Sequence, residues 1–374
     1  MAKRLYFVAG EASGDEHGAA LLRSLRELAP EWQFHGRGGP LMNQIAGDAF
    51  IDWVDAAAVV GLWEVVKRYG YFRQQFESAL GEIASINPDA VVLIDYPGFN
   101  LRLARALRKR SPRLKIIYYI SPQVWAWNRG RIRQMARFLD LMLCIFPFEA
   151  ELYNQSGLRT IFVGHPMIEN LARRRTGQAR DPNLIGLFPG SRSREVKKIF
   201  PVMLAAAAEI AAERPASRFE VAAASQALAR EIQNLLRNSS LRDRVDVRAA
   251  DASGIMQRAC AGMVASGTAT LEAAYFRLPF VLVYKVTWPT YFAARLVMRT
   301  NYLGMPNVLA GREIVPEFLQ HEARPKAIAR SVSQLLDDSA ARDQMIAEFD
   351  AIIEKLGETG ASAKAARAII DELV

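Results

Sequence analysis

The run Ala90-Val91-Val92-Leu93-Ile94-Asp95, closed by Tyr96-Pro97-Gly98-Phe99-Asn100, decides the fold of this 374-residue chain. Its apolar residues do not alternate with polar ones, so a strand built from them has no wet face. Such strands belong to parallel sheets covered by helices on both sides. Pro97 and Gly98 end the run. Asp95 is thereby left at the carboxyl end of a strand, where open α/β sheets bind their ligands.

The same unit recurs outward from this point. Residues 4–9 (RLYFVA), 32–36 (WQFHG), 114–120 (LKIIYYI), 141–146 (LMLCIF) and 160–164 (TIFVG) read as further strands. Helical patterns lie between them, at about 17–29, 61–86, 99–110, 129–138 and 148–156. Residues 171–183 (LARRRTGQARDPN) are basic, polar and carry a proline, which predicts a linker. The alternation then restarts with NLIGLFPG, RFEVAAA, RVDVRAA, AGMVAS and PFVLVYK. The expected architecture is α/β: two Rossmann-like domains facing a cleft, with a helical C-terminal tail. Residues 1–170 form the first domain, 171–183 the linker, 184–340 the second domain and 341–374 the C-terminal helices.

Composition narrows the function. Hydrophobic residues at 51% and charged residues at 23% exclude a disordered chain. Cys144 and Cys260 sit far apart in apolar runs and read as packed thiols, a usage that fits a reducing cytoplasm. The opening MAKRLYFVAGEASGD reads as a first strand, because Glu11 interrupts it before a signal peptide's apolar core is complete. No stretch approaches the roughly 18 apolar residues of a spanning helix. The net charge of +9 points to an anionic partner. The basic residues are spread along the chain, which argues against a nucleic-acid binder.

The strand ends carry the candidate chemistry. After the first strand, Gly10-Glu11-Ala12-Ser13-Gly14-Asp15 permits a tight turn, with Ser13 or Asp15 placed to cap the next helix. Glu11 is harder to explain as a cap. Asp95 is a candidate general base, or else the cap of the helix that starts near Gly98. In Ser121-Pro122-Gln123-Val124-Trp125-Ala126-Trp127-Asn128 the two tryptophans either line a sugar or acyl pocket or seal the core edge. Ser13, Asn100, Gln123 and Trp125 are the candidate acceptor-side residues.

In the second half, Gly190-Ser191-Arg192 follows a strand and opens a helix, exposing N–H groups beside an arginine able to clamp a phosphate. Ser266-Gly267-Thr268 forms a second such turn, with Glu272 one helical turn on, placed to accept from a ribose. Two phosphate-suited turns in one domain point to a nucleoside diphosphate. No metal constellation is seen: DxD at a strand end, CxxC and HExxH are absent, and His17, His35, His165 and His321 lack ligand spacing. His165 reads as a cleft-lining or structural residue.

Leu62, Val65 or Val66, Tyr69 and Phe72 repeat at helical spacing beside Trp63, Lys67, Arg68 and Arg73. That pattern suits a lipid interface or a core-facing stripe equally.

Taken in order, GEASGD, the D-x-P-x-F-N of Asp95–Asn100, SPQVWAW, FPFE, VGHP, PGSR, SGTATLE and PNVLAGREIVPEFLQ resemble the lipid-A-disaccharide synthase family from the first strand to about residue 320. The resemblance implies an inverting, metal-independent glycosyltransferase of the two-Rossmann (GT-B) type, using no cofactor. It would transfer 2,3-diacylglucosamine from UDP to the 6-hydroxyl of 2,3-diacylglucosamine 1-phosphate, giving a β-1,6 disaccharide and UDP. It implies Asp95 as base, Arg192 as the arginine that stabilises the leaving diphosphate, and Ser266, Gly267, Thr268 and Glu272 as UDP ligands. Asn307 and Glu313 fall in its cleft motif, and residues 62–72 in a membrane-facing patch. It further implies a peripheral protein on the cytoplasmic face of the inner membrane, and dimers that exchange C-terminal segments. The chain departs from the pattern at Gly98, where the family carries a second aspartate, so Asp95 acts alone or with Glu11. Rival readings are a UDP-sugar epimerase or a lipid-linked N-acetylglucosaminyltransferase of the same fold, and a non-catalytic nucleotide or RNA binder.

Overall fold

The computed structural model describes residues 2–54, 69–126, 130–288 and 300–374. The chain divides into two compact units, one of Met1–Glu169 with Leu356–Val374, the other of Asn170–Lys355.

The first unit holds seven parallel strands: β1 (Arg4–Ala9), β2 (Gln33–Gly38), β3 (Phe50–Asp52), β4 (Ala90–Ile94), β5 (Lys115–Tyr119), β6 (Leu141–Cys144) and β7 (Thr160–Phe162). They lie in the order β3-β2-β1-β4-β5-β6-β7. Around them run α1 (Ala12–Leu28), α2 (Pro40–Ala46), α3 (Tyr69–Ile86), α4 (Pro97–Arg110), α5 (Gly130–Met135), α6 (Pro147–Asn154) and the start of α7 (Pro166–Arg173). β1 and β4 are fully buried from Leu5 to Ala9 and from Ala90 to Ile94, with separate apolar clusters on the two faces of the sheet. This is why their sequences do not alternate.

The second unit repeats the plan with β8 (Asp181–Phe188), β9 (Arg218–Ala223), β10 (Val245–Ala249), β11 (Ala259–Val264), β12 (Phe280–Tyr284) and β13 (Glu317–Leu319), in the order β10-β9-β8-β11-β12-β13. Its helices are α8 (Ser193–Glu213), α9 (Gln226–Leu236), α10 (Ala252–Arg258), α11 (Ala269–Tyr275), α12 (Met305–Ala310), α13 (Pro325–Asp337) and α14 (Ser339–Lys355). The last helix, α15 (Ala361–Leu373), belongs to the first unit. Its Ala365, Ala366 and Ile369 join the cluster under β1, and Glu372 takes Lys115 Nζ at 2.7 Å.

Several bounds differ from the sequence reading. The edge strands β3 and β13 escape it, being three residues each with no apolar run. The stretch 171–183 is helical to Arg173 and already strand from Asp181. The second strand runs over Gln33–Gly38 rather than 32–36, which carries Arg37 into the interior. Arg37 is 2% exposed and bonds to Glu82, Gln75 and Ser78 of α3, while Tyr6 of β1 donates to the same Glu82. This network fastens α3 to the sheet. Arg37→Met leaves the Glu82 carboxylate without its partner. The expected loss is about 3–5 kcal/mol of stability, read by urea unfolding. A loss below about 1 kcal/mol would show the pair to be effectively solvated.

The stripe expected to meet lipid lies mostly outside the described residues: Leu62, Trp63, Val65 and Val66 are all there, and Tyr69 opens α3. Phe72 is partly buried against the core of the first unit, as is Phe76. For Phe72 the core-facing alternative holds. Among the described residues no helix is long and apolar enough to cross a membrane.

Candidate active site

In the first sheet the strand order reverses between β1 and β4, and in the second between β8 and β11. Such reversals open a crevice at the carboxyl ends of the two strands involved. Ala9 pairs with Ile94, so Gly10 and Asp95 emerge side by side at the first reversal. Val264 pairs with Phe188, so the turns after these two strands emerge together at the second.

At the first reversal the backbone turns sharply. Asp95 and Tyr96 take φ values of 45° and 49°, and Ile120, at the end of β5, takes 67°. Left-handed backbone is costly for residues bearing a Cβ, a β-branched one above all. Surrounding bonds hold it. Asp95 N donates to Tyr119 O at 2.9 Å. The Tyr118 hydroxyl and Asn100 Nδ2 donate to Asp95 O at 2.6 and 2.8 Å. Asn100 is fully buried, and its amide also reaches Ile94 O at 3.2 Å. Its Nδ2 pins the turn.

The helix that follows has Tyr96 as its N-cap residue, which makes no side-chain capping bond, and the Asp95 carboxylate, one residue before the cap position, accepts from the Tyr96 backbone. The capping reading of Asp95 therefore fails. Tyr96 closes over Gly10, where a Cβ would come within 2.3 Å of its ring. Trp53 packs edge-on to Tyr96 at 6.0 Å and against Phe99 at 4.9 Å, and its indole donates to Ala9 O at 2.7 Å. Burial raises the Asp95 carboxyl to about 6, and the nearby Glu11 charge adds to the rise. A carboxylate held in that range is a competent base near neutral pH.

Glu11 and Ser13 are exposed. Asp15 does not cap its own helix. Its carboxylate accepts from Gly39 N, Leu41 N and Met42 N at 2.8–3.0 Å and so caps α2. Gly98 is exposed, with open space around the Cβ it lacks. Gln123 is exposed. Trp125 is 6% exposed, edge-on to Phe148 at 4.9 Å, and its indole donates to Glu149 Oε1 at 2.8 Å. It seals the core edge. Trp127 and Asn128 lie outside the described residues.

Glu149 was not singled out from the sequence. It is fully buried, and Phe146 N donates to its Oε2 at 3.3 Å. Burial raises its carboxyl to about 7 against the pull of these donors. His165 is buried too, its ring tilted against Phe146 at 5.2 Å, and burial lowers it to about 4. Of the cleft-lining and structural readings, its burial fits the structural one.

The second reversal opens a pocket of about 880 Å³. Gly190, Ser191, Arg192, Ser266, Gly267, Thr268 and Glu272 all line it, so the two small-residue turns converge as expected. Gly190 and Gly267 have φ of 110° and 138°, which only glycine adopts readily, and the Gly267 face is open. Arg192 is exposed at the rim, with Nη1 3.1 Å from Glu195 Oε1. Burial raises the Glu272 carboxyl, and Arg174 opposes the rise. Asp251 and Gln257 also line the pocket, unforeseen. Gln257 Oε1 accepts from Thr176 N at 2.7 Å, fixing the entering chain against α10.

Asn307 and Glu313 are not brought there. Asn307 is fully buried, donating to Val315 O and Glu317 Oε1 at 2.8 Å and accepting from Ile314 N and Val315 N. All its bonding capacity is used in bracing the loop before β13. Glu313 is exposed beside Arg312 in a separate groove.

A sequence model of the lipid-A-disaccharide synthetase family matches residues 5–370, nearly the whole chain. The chain belongs to this family. Lipid-A-disaccharide synthase of Geobacter sulfurreducens is 38% identical over 99% of this chain and 97% of its own. Among solved structures, Staphylococcus aureus MnaA with UDP aligns over 100% of this chain and 98% of its own, at a TM-score of 0.65 and 14% identity. The calicheamicin glycosyltransferase CalG4 aligns over the same shares at 0.59 and 14%. At such identities these two show the shared fold alone. A lipid-A-disaccharide synthase is a glycosyltransferase, and this chain has the GT-B fold of that class.

Proposed function

We propose that this chain carries out the family reaction with Asp95 as its base and Arg192 as the cation at the departing diphosphate. The donor is UDP-2,3-diacylglucosamine and the acceptor 2,3-diacylglucosamine 1-phosphate. Asp95 removes the proton from the acceptor 6-hydroxyl as O6 attacks the anomeric carbon. The bond from that carbon to the diphosphate breaks, UDP leaves with the electron pair, and the configuration inverts. The observation that carries this reading is the raised, half-buried Asp95 at one strand reversal and the two glycine turns with Arg192 at the other.

In this scheme Ser191, Ser266, Gly267 and Thr268 offer backbone and hydroxyl donors to the diphosphate, and Glu272 accepts from the ribose. Glu11 acts by holding Asp95 basic, because position 98 carries no carboxylate. Gln123 and Ser13 remain on the acceptor side. Acylated substrates support the reading of a peripheral enzyme on the cytoplasmic face of the inner membrane, with Leu62, Trp63, Val65, Val66 and Tyr69 as the contact that the sequence suggests. Exchange of α15 between two copies is the form a dimer would take.

The test is direct. Purified protein receives both acylated sugars without added metal, and UDP and disaccharide are measured together. Stoichiometric release is the expected result. UDP release without disaccharide would assign a hydrolase, and no turnover would remove the reading.

A further inference from the structure

The face of α4 that carries Gly98, Leu101, Arg102, Arg105 and Lys109 has the spacing of one helical stripe. Opposite it lies α5, and the two enclose a groove of about 480 Å³ with Met135 and Phe138 in its floor. Three cations share this stripe, where like charges at such spacings repel. Among the described residues no carboxylate lines the groove, and Arg131 lines it from α5. The same helix neutralises its other arginines: Arg108 pairs with Asp140, and Arg110 with Glu77. Arg102 and Lys109, by contrast, have no ion-pair or hydrogen-bond partner among the described residues. Arg105 donates to Gln134 Oε1 at 3.1 Å and lies over the Phe138 ring, so its head is already engaged.

The groove opens at Pro97 and Gly98, immediately after the Asp95 turn. From Gly98 the helix rises about 6 Å to Arg102 and about 16 Å to Lys109. Of the α4 cations lining the groove, Arg102 is the one nearest the base along the helix.

We propose that the upper end of this groove seats the phosphate monoester of the acceptor sugar, with Arg102 as its principal ligand. The inference rests on the acceptor reading above and names the subsite that reads its charged end. An acceptor gripped by its phosphate beside α4 has its far hydroxyl directed to Asp95. The open space at Gly98 leaves the entrance unobstructed.

The experiment compares wild type, Arg102→Gln and, as a charge-matched control on the same helix, Arg110→Gln. Each is assayed with a short-acyl, water-soluble acceptor in the absence of any bilayer, with and without its 1-phosphate, and again with a vesicle-borne acceptor. Arg102→Gln is expected to raise KM for the phosphorylated acceptor about 10-fold or more. The KM of the UDP-sugar and the kcat should change little, and the penalty should vanish with the dephosphorylated acceptor. Binding of the two acceptors by calorimetry gives the same comparison without turnover, so it separates a wrong subsite from a wrong reaction. An equal penalty on both acceptors overturns the proposal. So does a matching effect of Arg110→Gln, which would mean diffuse charge. A penalty seen only with vesicle-borne substrate would assign the groove to the lipid surface and also overturns it.

Discussion

Asp95→Asn is expected to lower kcat by about 10²–10⁴-fold, the usual worth of a positioned base. The substitution removes the proton acceptor and keeps the shape. The turn is held through the Asp95 backbone, by Tyr119 O, the Tyr118 hydroxyl and Asn100, and the amide oxygen of the variant can still accept from the Tyr96 backbone. Stability should not fall. The folded pKa of Asp95 is raised above its ordinary value, so ionisation there is less favourable in the folded chain than in the unfolded. Its effect on stability is most favourable below pH about 4 and declines as pH rises through about 6. An amide never ionises, so the melting temperature at neutral pH should equal or exceed that of wild type. Lost activity together with a lowered melting temperature would point to a structural role instead.

The same shift predicts the acid limb of the profile. kcat/KM should fall as pH drops through about 6, where Asp95 takes up its proton in the free chain. Burial is the larger cause of the rise and the Glu11 charge the second. Glu11→Gln should therefore move the limb to lower pH without abolishing it. An unmoved limb would separate the two carboxylates.

What the sequence discloses here depends on how local the cause is. β1, β4, β8 and β11 are legible because burial on both faces leaves an unbroken apolar run, and the ligand ends follow from parallel pairing alone. The glycine turns at 190 and 267 are legible because the residue type itself permits the backbone. Asp15 was misread because its partners are the N–H groups of α2, 24 to 27 residues on, while local spacing points to its own helix. Asn307 belongs to a recognised motif, yet its four bonds face inward, and no pattern of residue types distinguishes a loop brace from a ligand contact. Glu149 was invisible for a related reason. A glutamate three residues after Phe146 gives no sign that Trp125 will close over it.

Arg192→Ala should cost about 10²–10³-fold in kcat, the scale of removing one preorganised charge from a developing anion. In the free chain Arg192 rests against Glu195, whose other oxygen accepts from Ser191 N at 3.3 Å. An exposed pair of this kind contributes about 0–1 kcal/mol. A bidentate guanidinium–phosphate contact is stronger, so an incoming diphosphate displaces the carboxylate. Glu195 thus keeps the arginine at the rim without competing it away. The departing diphosphate gains charge as the glycosidic bond breaks, so the contact strengthens between ground state and transition state. The loss should accordingly fall on kcat more than on the dissociation constant of UDP. Arg192→Lys should recover little, since an ammonium lacks the planar fork that spans two phosphate oxygens. Steady-state kinetics beside a UDP titration separates the outcomes. An Arg192→Ala chain that binds UDP weakly but turns over at the wild-type rate would make Arg192 an anchor for the nucleotide and leave the leaving group to another residue.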